Sequence, residues 1–411
     1  MKPMVVFDDG YSKLSPLTDL RASFRVRTGA VTTLARLERQ AGAAGLGRLA
    51  MVHVPERLAG VTREVLPIPV NELAAMGVDS HVLLMNGRCP RLPALLPKLK
   101  VNEAIVGKAG RSLLAAVCRR AEAAAYLDSG VMTPSWNVIE DAQAEVLERP
   151  WDVIRYRDTA LEDDLADMLR LMPKAALPAG VVAVNEEAIR IGVGAKVSPG
   201  VVLDAEGGAI VIDEGAVVRP GSIIVGPAYI GKGTTILERG LIKAHTSIGP
   251  VCKVTGEVGG TIFQGYANKG HDGHLGDSWV GEWANFGAGT TNSNLLNTYG
   301  EVTAALALPG ASRERTGLMY LGCIVGDHTK FAISTRIMTG SVFGTGCMVA
   351  TVKPPPTSLA AFTWITDERE QEYKLGKFMD VAKTVMGRRK VTASEAYVGL
   401  LSQLHGRVGR G

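Results

Sequence analysis

From Ile212 the chain places a branched aliphatic residue at every sixth position: Ile212, Val218, Ile224, Ile230, Ile236, Ile242, Ile248 and Val254. Neither an α-helix nor a single strand has that period. A six-residue repeat with glycine, small and polar residues between the aliphatics marks a parallel β-helix. Each hexad makes one short strand and a turn, and three hexads close a triangular coil whose aliphatics point inward. Hexapeptide solenoids of this type wind left-handed, against the usual right-handed crossover. The same step runs through Ile191, Val197 and Leu203, until an insertion around Glu206–Ala209 shifts it. It returns at Val280 and Phe286, and again at Val325, Phe331, Ile337, Phe343 and Val349. Residues 292–318 break the repeat and are expected to leave the solenoid as a loop. Lys353-Pro354-Pro355-Pro356 is expected to end it, because proline has no N–H to give a continuing ladder.

The first 175 residues carry a different pattern. Met4–Phe7 and Ser80–Met85 are short apolar runs of strand type, and Ala104–Val106 is a third. Ala30–Gln40, Gly110–Leu127 and Leu161–Leu171 have helical spacing or helix-forming composition. Strands alternating with helices predict a Rossmann-type parallel or mixed sheet with ligands at the strand ends. After the prolines, Leu375, Phe378, Met379, Ala382, Val385 and Met386 form one helical stripe. Thr392 and Glu395 make a capping-box pattern before a last helix. The expected organisation is an α/β domain over 1–175, an all-β left-handed parallel β-helix over 181–353 and a C-terminal helical extension over 354–411 that covers the open solenoid end.

Composition narrows the class. The 411 residues are 46% hydrophobic and 21% charged, as in an ordinary globular protein. A net charge of +4, spread along the chain, argues for no nucleic-acid partner and suits anionic small molecules. The five cysteines show no CxxC spacing and are odd in number, which predicts a reducing, cytoplasmic setting. No apolar run has membrane-spanning length, so no membrane partner is expected.

The densest polar cluster interrupts the solenoid. It runs Asn268-Lys269-Gly270-His271-Asp272-Gly273-His274-Leu275-Gly276-Asp277, then Asn285, Gly287–Thr290 and Asn292-Ser293-Asn294. Stacked asparagines at corners explain any one of these residues, but hardly the whole set. Imidazole is the side chain whose ordinary pKa lies nearest neutrality, so a histidine here suits general-base work.

Gly270-His271, Leu275-Gly276-Asp277, Val280-Gly281, Asn285 and Gly287-Ala288-Gly289-Thr290 resemble, without a gap, a motif of the bifunctional uridylyltransferase/acetyltransferase that makes UDP-N-acetylglucosamine. The resemblance implies that His271 is the catalytic base that deprotonates the amine of a sugar phosphate as it attacks acetyl-CoA. It implies that Asn285 helps bind the sugar and that Asn294 lies close to the reacting groups. Lys253, after Ile248-Gly249-Pro250, falls near a phosphate-binding arginine of the family. His274 stands where the family has a sugar-binding tyrosine, and Gly259 where it has a lysine. The coil between Val254 and His271 is shorter. A divergent bacterial branch of the family is similar over nearly the whole chain, through Gly265-Tyr266, Asn268-Lys269, His271-Asp272-Gly273, Gly281-Glu282-Trp283, Asn292–Leu295 and the Asn86-Gly87-Arg88 step. It makes Lys253, Lys269, His274, Asn86 and Arg88 candidate substrate contacts. It also implies a homotrimer that takes sugar-phosphate and acyl-CoA substrates.

The N-terminal half departs further from the usual sugar nucleotidyltransferase. It has no GxGTR loop after the first strand, so Arg21, Arg25 and Arg27 are the candidate phosphate contacts. Arg88 stands where such an enzyme has a metal-binding aspartate, so either Asp8 or Asp9, or another acid, is expected to hold Mg²⁺ with a nucleoside triphosphate, UTP in the family, or else this half binds a sugar phosphate without activating a nucleotide. The reading carried forward is a bifunctional transferase. The alternatives are an acyltransferase with a non-catalytic sugar-phosphate-binding N-terminal half, and a non-catalytic trimeric scaffold.

Overall fold

The computed structural model describes residues 2–73, 80–110 and 112–408. The chain forms two compact units. The first comprises Met1–Leu14, Leu20–Val26 and Thr32–Asp152, the second Ser15–Asp19, Arg27–Val31 and Val153–Gly411. By contact the division falls at Asp152 and not near residue 175. The helix that follows lays its apolar stripe on the solenoid wall, as Leu161 and Leu165 pack with Ala30, Val211 and Tyr229.

The first unit is a six-stranded mixed sheet in the order β2-β1-β3-β5-β4-β6. The strands are β1 (Lys2–Phe7), β2 (Gly47–His53), β3 (His81–Asn86), β4 (Glu103–Val106), β5 (Leu113–Arg119) and β6 (Asn137–Glu140). β1 runs parallel to both β2 and β3, while β5 is antiparallel to β3 and β4. Met4–Phe7 is buried on both faces, which is why it reads as an unbroken apolar run. Helix α1 (Thr33–Ala43) begins three residues later than its spacing suggests, because Thr32 caps it, its side chain accepting from the Ala35 N–H. Helix α2 spans Glu56–Val65.

The expected helix over 110–127 is half wrong. Leu113–Arg119 is strand β5, and only Arg120–Ser129 forms a helix, α3. The Leu-Leu-Ala-Ala-Val-Cys run has helix-forming composition, but every residue of it is buried in a central strand. Packing on both faces overrides intrinsic preference there.

The second unit is the solenoid. Strands of two to four residues stack into three sheets of six, nine and ten strands, and all but one neighbouring pair inside these sheets is parallel. This agrees with the left-handed hexapeptide class. The inward residues form a single core that includes Leu203, Ile212, Ile224, Ile242, Val254, Val280, Phe286, Phe331, Phe343 and Val349. The insertion lies where expected, between Val202–Asp204 and Ile210–Ile212. Asn292 still pairs in parallel with Ile337, and beyond it the chain leaves the wall, carrying a short antiparallel pair, Thr303–Ala304 with Glu314–Arg315, before Cys323–Val325 resumes the coil.

The prolines do not end the solenoid. Ser358–Leu359 pairs in parallel with the strand at Ser341–Phe343, and Thr363–Thr366 with Met348–Ala350. Pro354–Pro356 sit in the corner between strands, where no ladder N–H is required. An antiparallel strand, Glu370–Glu372, then closes the edge.

Two of the remaining helices belong to the start of this unit, α4 (Asp152–Arg155) and α5 (Arg157–Leu171), and two to its end, α6 (Leu375–Gly387) and α7 (Glu395–Val408). Phe378 of α6 and His405 of α7 both pack edge-on against Phe362 of the last coil, and Phe378 and Tyr397 also meet His328 of an earlier coil, so the two helices brace a corner of the solenoid. The capping residue of α7 is Ser394, whose Oγ accepts from the Tyr397 N–H at 3.1 Å, and not Thr392. No described helix is long and apolar enough to cross a membrane.

Candidate active site

The strands Asn268–Lys269 and His274–Gly276 lie on two different sheets, and residues 270–273 turn the corner between them. Side chains alternate along a strand, so Asn268 faces out and Lys269 faces in. Parallel stacking in register then builds an outer column of one residue per coil: Lys253, Asn268, Asn285 and Lys330. Asn268 Nδ2 donates to Asn285 Oδ1 at 2.9 Å.

On the next face Glu257 stacks beneath His274, with His274 Nδ1 3.4 Å from the Glu257 carboxylate and Lys243 Nζ 3.2 Å from it. Asn294 Nδ2 donates to Asp277 Oδ2 at 2.7 Å, and Arg157 donates to the other oxygen at 2.8 Å. A methyl group on Gly276 would lie 2.6 Å from both His274 Nε2 and Asn294 Nδ2, so these two side chains reach over the same glycine. His271 occupies the corner between the two columns. It is exposed, and its ring has no hydrogen-bond partner among the described residues.

In this coil and in the one above it, a polar side chain stands where the repeat elsewhere has an aliphatic. Lys269 is 2% exposed, and its Nζ donates to the carbonyls of His271 at 2.8 Å and Thr255 at 3.2 Å. Burial pushes its ammonium down to about 8. The expectation that Lys269 touches substrate therefore fails, because its charge faces the solenoid interior. Asn292 is the second. It accepts from the Gly276 N–H at 2.8 Å and donates to Gly276 O at 2.9 Å and to Ser278 Oγ at 3.1 Å. Counting hexads straight through polar residues, forward from Phe263 and from Phe286, lands on both positions.

The outer column opens into a cavity of about 430 Å³. Lys253 and Lys330 line it from the wall, Arg388 and Arg389 from the end of α6, and Asn268 and Asn285 between them. Tyr266 and Trp283 stack at 4.4 Å along one side. Lys330 Nζ donates to the Trp283 carbonyl, and burial pushes it down to about 8. Four cations line this cavity, and no carboxylate does so among the described residues. Such a surface attracts an anion. Lys330, Arg388 and Arg389 escaped the sequence reading, since α6 has no sequence link to the coil it approaches, whereas Tyr266 and Trp283 entered it as members of a motif.

In the first unit β1 and β3 are parallel neighbours that end together, Phe7 opposite Asn86. Their ends bring Asp8, Asp9, Asn86 and Arg88 into one network. Arg88, 1% exposed, grips Asp9 with Nε at 3.0 Å and Nη2 at 2.7 Å, donates to Leu147 O and Ser112 Oγ, and lies over the Tyr11 ring at 4.3 Å. Asn86 Nδ2 adds a bond to Asp9 at 3.1 Å. Asp8 accepts from the Gly10 and Ser23 N–H groups at 2.8 and 2.7 Å, and burial raises its pKa. An aspartate-lined hollow of about 310 Å³ lies beside them, bounded also by His53, Tyr126 and Asp128.

The expectation that Asp8 and Asp9 hold Mg²⁺ does not fit this network. Both Asp8 oxygens are taken by backbone N–H groups and both Asp9 oxygens by Arg88. No three His, Cys, Asp or Glu side chains among the described residues are grouped to hold a metal. Arg21 belongs to the first unit and is 7% exposed. Arg27 belongs to the second, where its side chain donates to the carbonyls of Gln264 and Ala30 and lies against Tyr229. As a phosphate contact Arg27 is therefore ruled out by its own packing.

Residues 4–170 match the family described as sugar nucleotidyl transferase. Among curated proteins, the bifunctional protein GlmU of Sorangium cellulosum (strain So ce56) is 27% identical over 229 residues, which is 51% of this chain and 43% of that protein. The protein of the same description from Cyanothece sp. (strain PCC 7425) is 24% identical over 195 residues, 43% of this chain and 39% of that protein. The chain thus spans about two fifths of the length of these relatives. Among solved structures, the Arabidopsis UDP-N-acetylglucosamine acyltransferase matches at 10% identity over 52% of this chain and 80% of that one, with a TM-score of 0.23.

The buried lysines give a pH-dependent prediction. A lysine lowered from 10.5 to about 8 loses its proton earlier in the folded state. The unfolded state then holds more protons between those values, so the lysine's destabilising effect is relieved as pH rises through about 8. Lys330→Met is expected to raise the urea midpoint at pH 7, with the difference from wild type shrinking by pH 10. A difference that stays constant with pH counts against a buried ammonium.

Proposed function

We propose that this divergent GlmU-like chain is a transferase with two centres, and that its solenoid transfers an acyl group from an acyl-CoA to an amino-sugar phosphate. The observation that supports this reading most is His271 itself. It is an open imidazole on a pinned corner, with a cationic cavity on one side and amide and carboxylate groups on the other. In this reading His271 takes a proton from the acceptor amine as the amine attacks the thioester carbon. The proton then passes to the departing thiolate. Lys253 and Lys330, with Arg388 and Arg389, supply charge for the acceptor's phosphate, and Asn285 hydrogen-bonds its sugar. Asn294 and His274 lie over Gly276, on the side where the thioester would approach, and backbone N–H groups there are suited to a developing oxyanion. The cavity suits a phosphate-bearing ligand because four cations, and no carboxylate among the described residues, line it. Acetyl-CoA as donor and glucosamine 1-phosphate as acceptor are the first pair to try.

For the first unit, the family match over 4–170 supports nucleotidyl transfer to a sugar 1-phosphate. One observation favours a second reading. With Asp9 held by Arg88, the strand ends offer no free carboxylate pair for a cation. In that case the first unit binds a sugar phosphate without activating a nucleotide. We carry a homotrimer with both readings, since one side of the His271 corner is open to solvent and a neighbouring solenoid can complete it. Five buried free thiols suit a reducing, cytoplasmic setting.

Release of CoA thiol in the presence of glucosamine 1-phosphate tests the first centre. Wild type is expected to release it, and His271→Ala to lower kcat by about 10²–10⁴-fold. An unchanged rate in that variant removes the base. Pyrophosphate release from UTP and N-acetylglucosamine 1-phosphate, with Mg²⁺ added, decides between the readings of the first unit. Its absence in a preparation that still acylates supports the second reading. Sedimentation is expected to give the mass of three chains, and a monomer active in acylation would sink the shared-site picture.

A further inference from the structure

We propose that Lys269 is a positioning residue, an ammonium kept inside the solenoid to fix the backbone of His271 and so the direction of its imidazole. The inference rests on the reading of His271 as the base.

The inward column that holds Lys269 is otherwise apolar. Ile236 and Val254 lie beneath it, and Phe286 and Phe331 above. The fold asks only for a hydrophobe of similar length at this point. Burying an ammonium instead costs stability, because the charge leaves water. What the ammonium gains is local. Its bond to His271 O, at 2.8 Å, is the shorter of its two, and the other goes to Thr255 O in the coil beneath.

The length of that lower coil gives the reason. The link between Lys253–Val254 and Glu257–Gly259 is only Thr255-Gly256, whereas the corner above it spans Gly270–Gly273. The longer corner overhangs the shorter one. A Cβ on Gly256 would lie 2.8 Å from Lys269 Nζ, 2.8 Å from Gly273 O and 3.0 Å from His271 O, so these groups converge directly over Gly256. The ammonium fills the place that backbone would occupy in a full-length coil. From above, the Gly289 N–H donates to Asp272 O at 3.2 Å. The carbonyls of His271 and Asp272 are thereby held from opposite sides, and the peptide between them cannot turn. Asp272 is the charged side chain that acts on the ammonium. The shortened coil, Gly256 and Lys269 form one device.

The test uses the full chain with Lys269→Met, which keeps length and removes charge. The variant is expected to fold, with an unchanged circular dichroism spectrum and a melting temperature equal to or above that of wild type. Its kcat for CoA release should fall at least tenfold while KM for the acceptor stays within twofold. In protein labelled with ¹³C-histidine, the ε1 signal of His271, identified by its loss in His271→Ala, should shift or broaden. Unchanged kcat together with an unchanged His271 signal overturns the proposal. If His271→Ala keeps full activity, the base reading fails on its own, and the ε1 signal still reports whether Lys269 holds the corner. If Lys269→Met does not fold, Lys269→Leu carries the same readings. If neither folds, Lys269 is a structural requirement and the positioning role is overturned.

Discussion

Each coil of the solenoid must place one inward side chain on each face, directly above the one before. That constraint sets everything else on the wall. Because the coils stack in register at the strand spacing of about 4.8 Å, whatever points outward is stacked just as strictly. Lys253, Asn268, Asn285 and Lys330 are far apart in sequence and become consecutive rungs of one column. The hydrophobic repeat supplies the stability. The columns it creates as a by-product supply the chemistry.

The site lies where the repeat is least regular. In the coil that carries His271, Lys269 replaces a core aliphatic, and Asn292 does so in the next coil; each binds the backbone of a residue beside the exposed groups, His271 for one and Gly276 for the other. An apolar core needs no such groups, and buried polar atoms weaken a fold unless they are well paired. Their placement next to the exposed imidazole of His271 sets a local loss of stability against a firmly held backbone. The basic cavity follows the same logic on the outside. Lys253, Lys330, Arg388 and Arg389 line it together, so their like charges repel one another.

The N-terminal unit resolves a comparable tension differently. Its strand ends gather two aspartates, an asparagine and an arginine, and the guanidinium neutralises Asp9. A buried arginine cannot ligate a metal, and a carboxylate in its fork has its charge already balanced. The ion pair that keeps this network intact is also what sets it apart from a cation-binding strand end.

The sequence by itself determined the solenoid. A six-residue period has no competing local explanation, so the run from Ile212 to Val254, the insertion near Glu206 and the excursion after Asn292 were all legible. His271 was legible as well, because its motif is contiguous. The sequence could not determine side-chain direction at positions where polarity and burial disagree. Lys269 reads as a surface lysine until three-dimensional register turns it inward. The run Leu113–Cys118 reads as helix until burial on both faces makes it a strand, and the prolines read as a terminus until they fall in a corner. Arg388 and Arg389 meet Lys253 only because α6 folds back on an earlier coil. Such long-range contacts are set by how whole elements pack, and no local period encodes them.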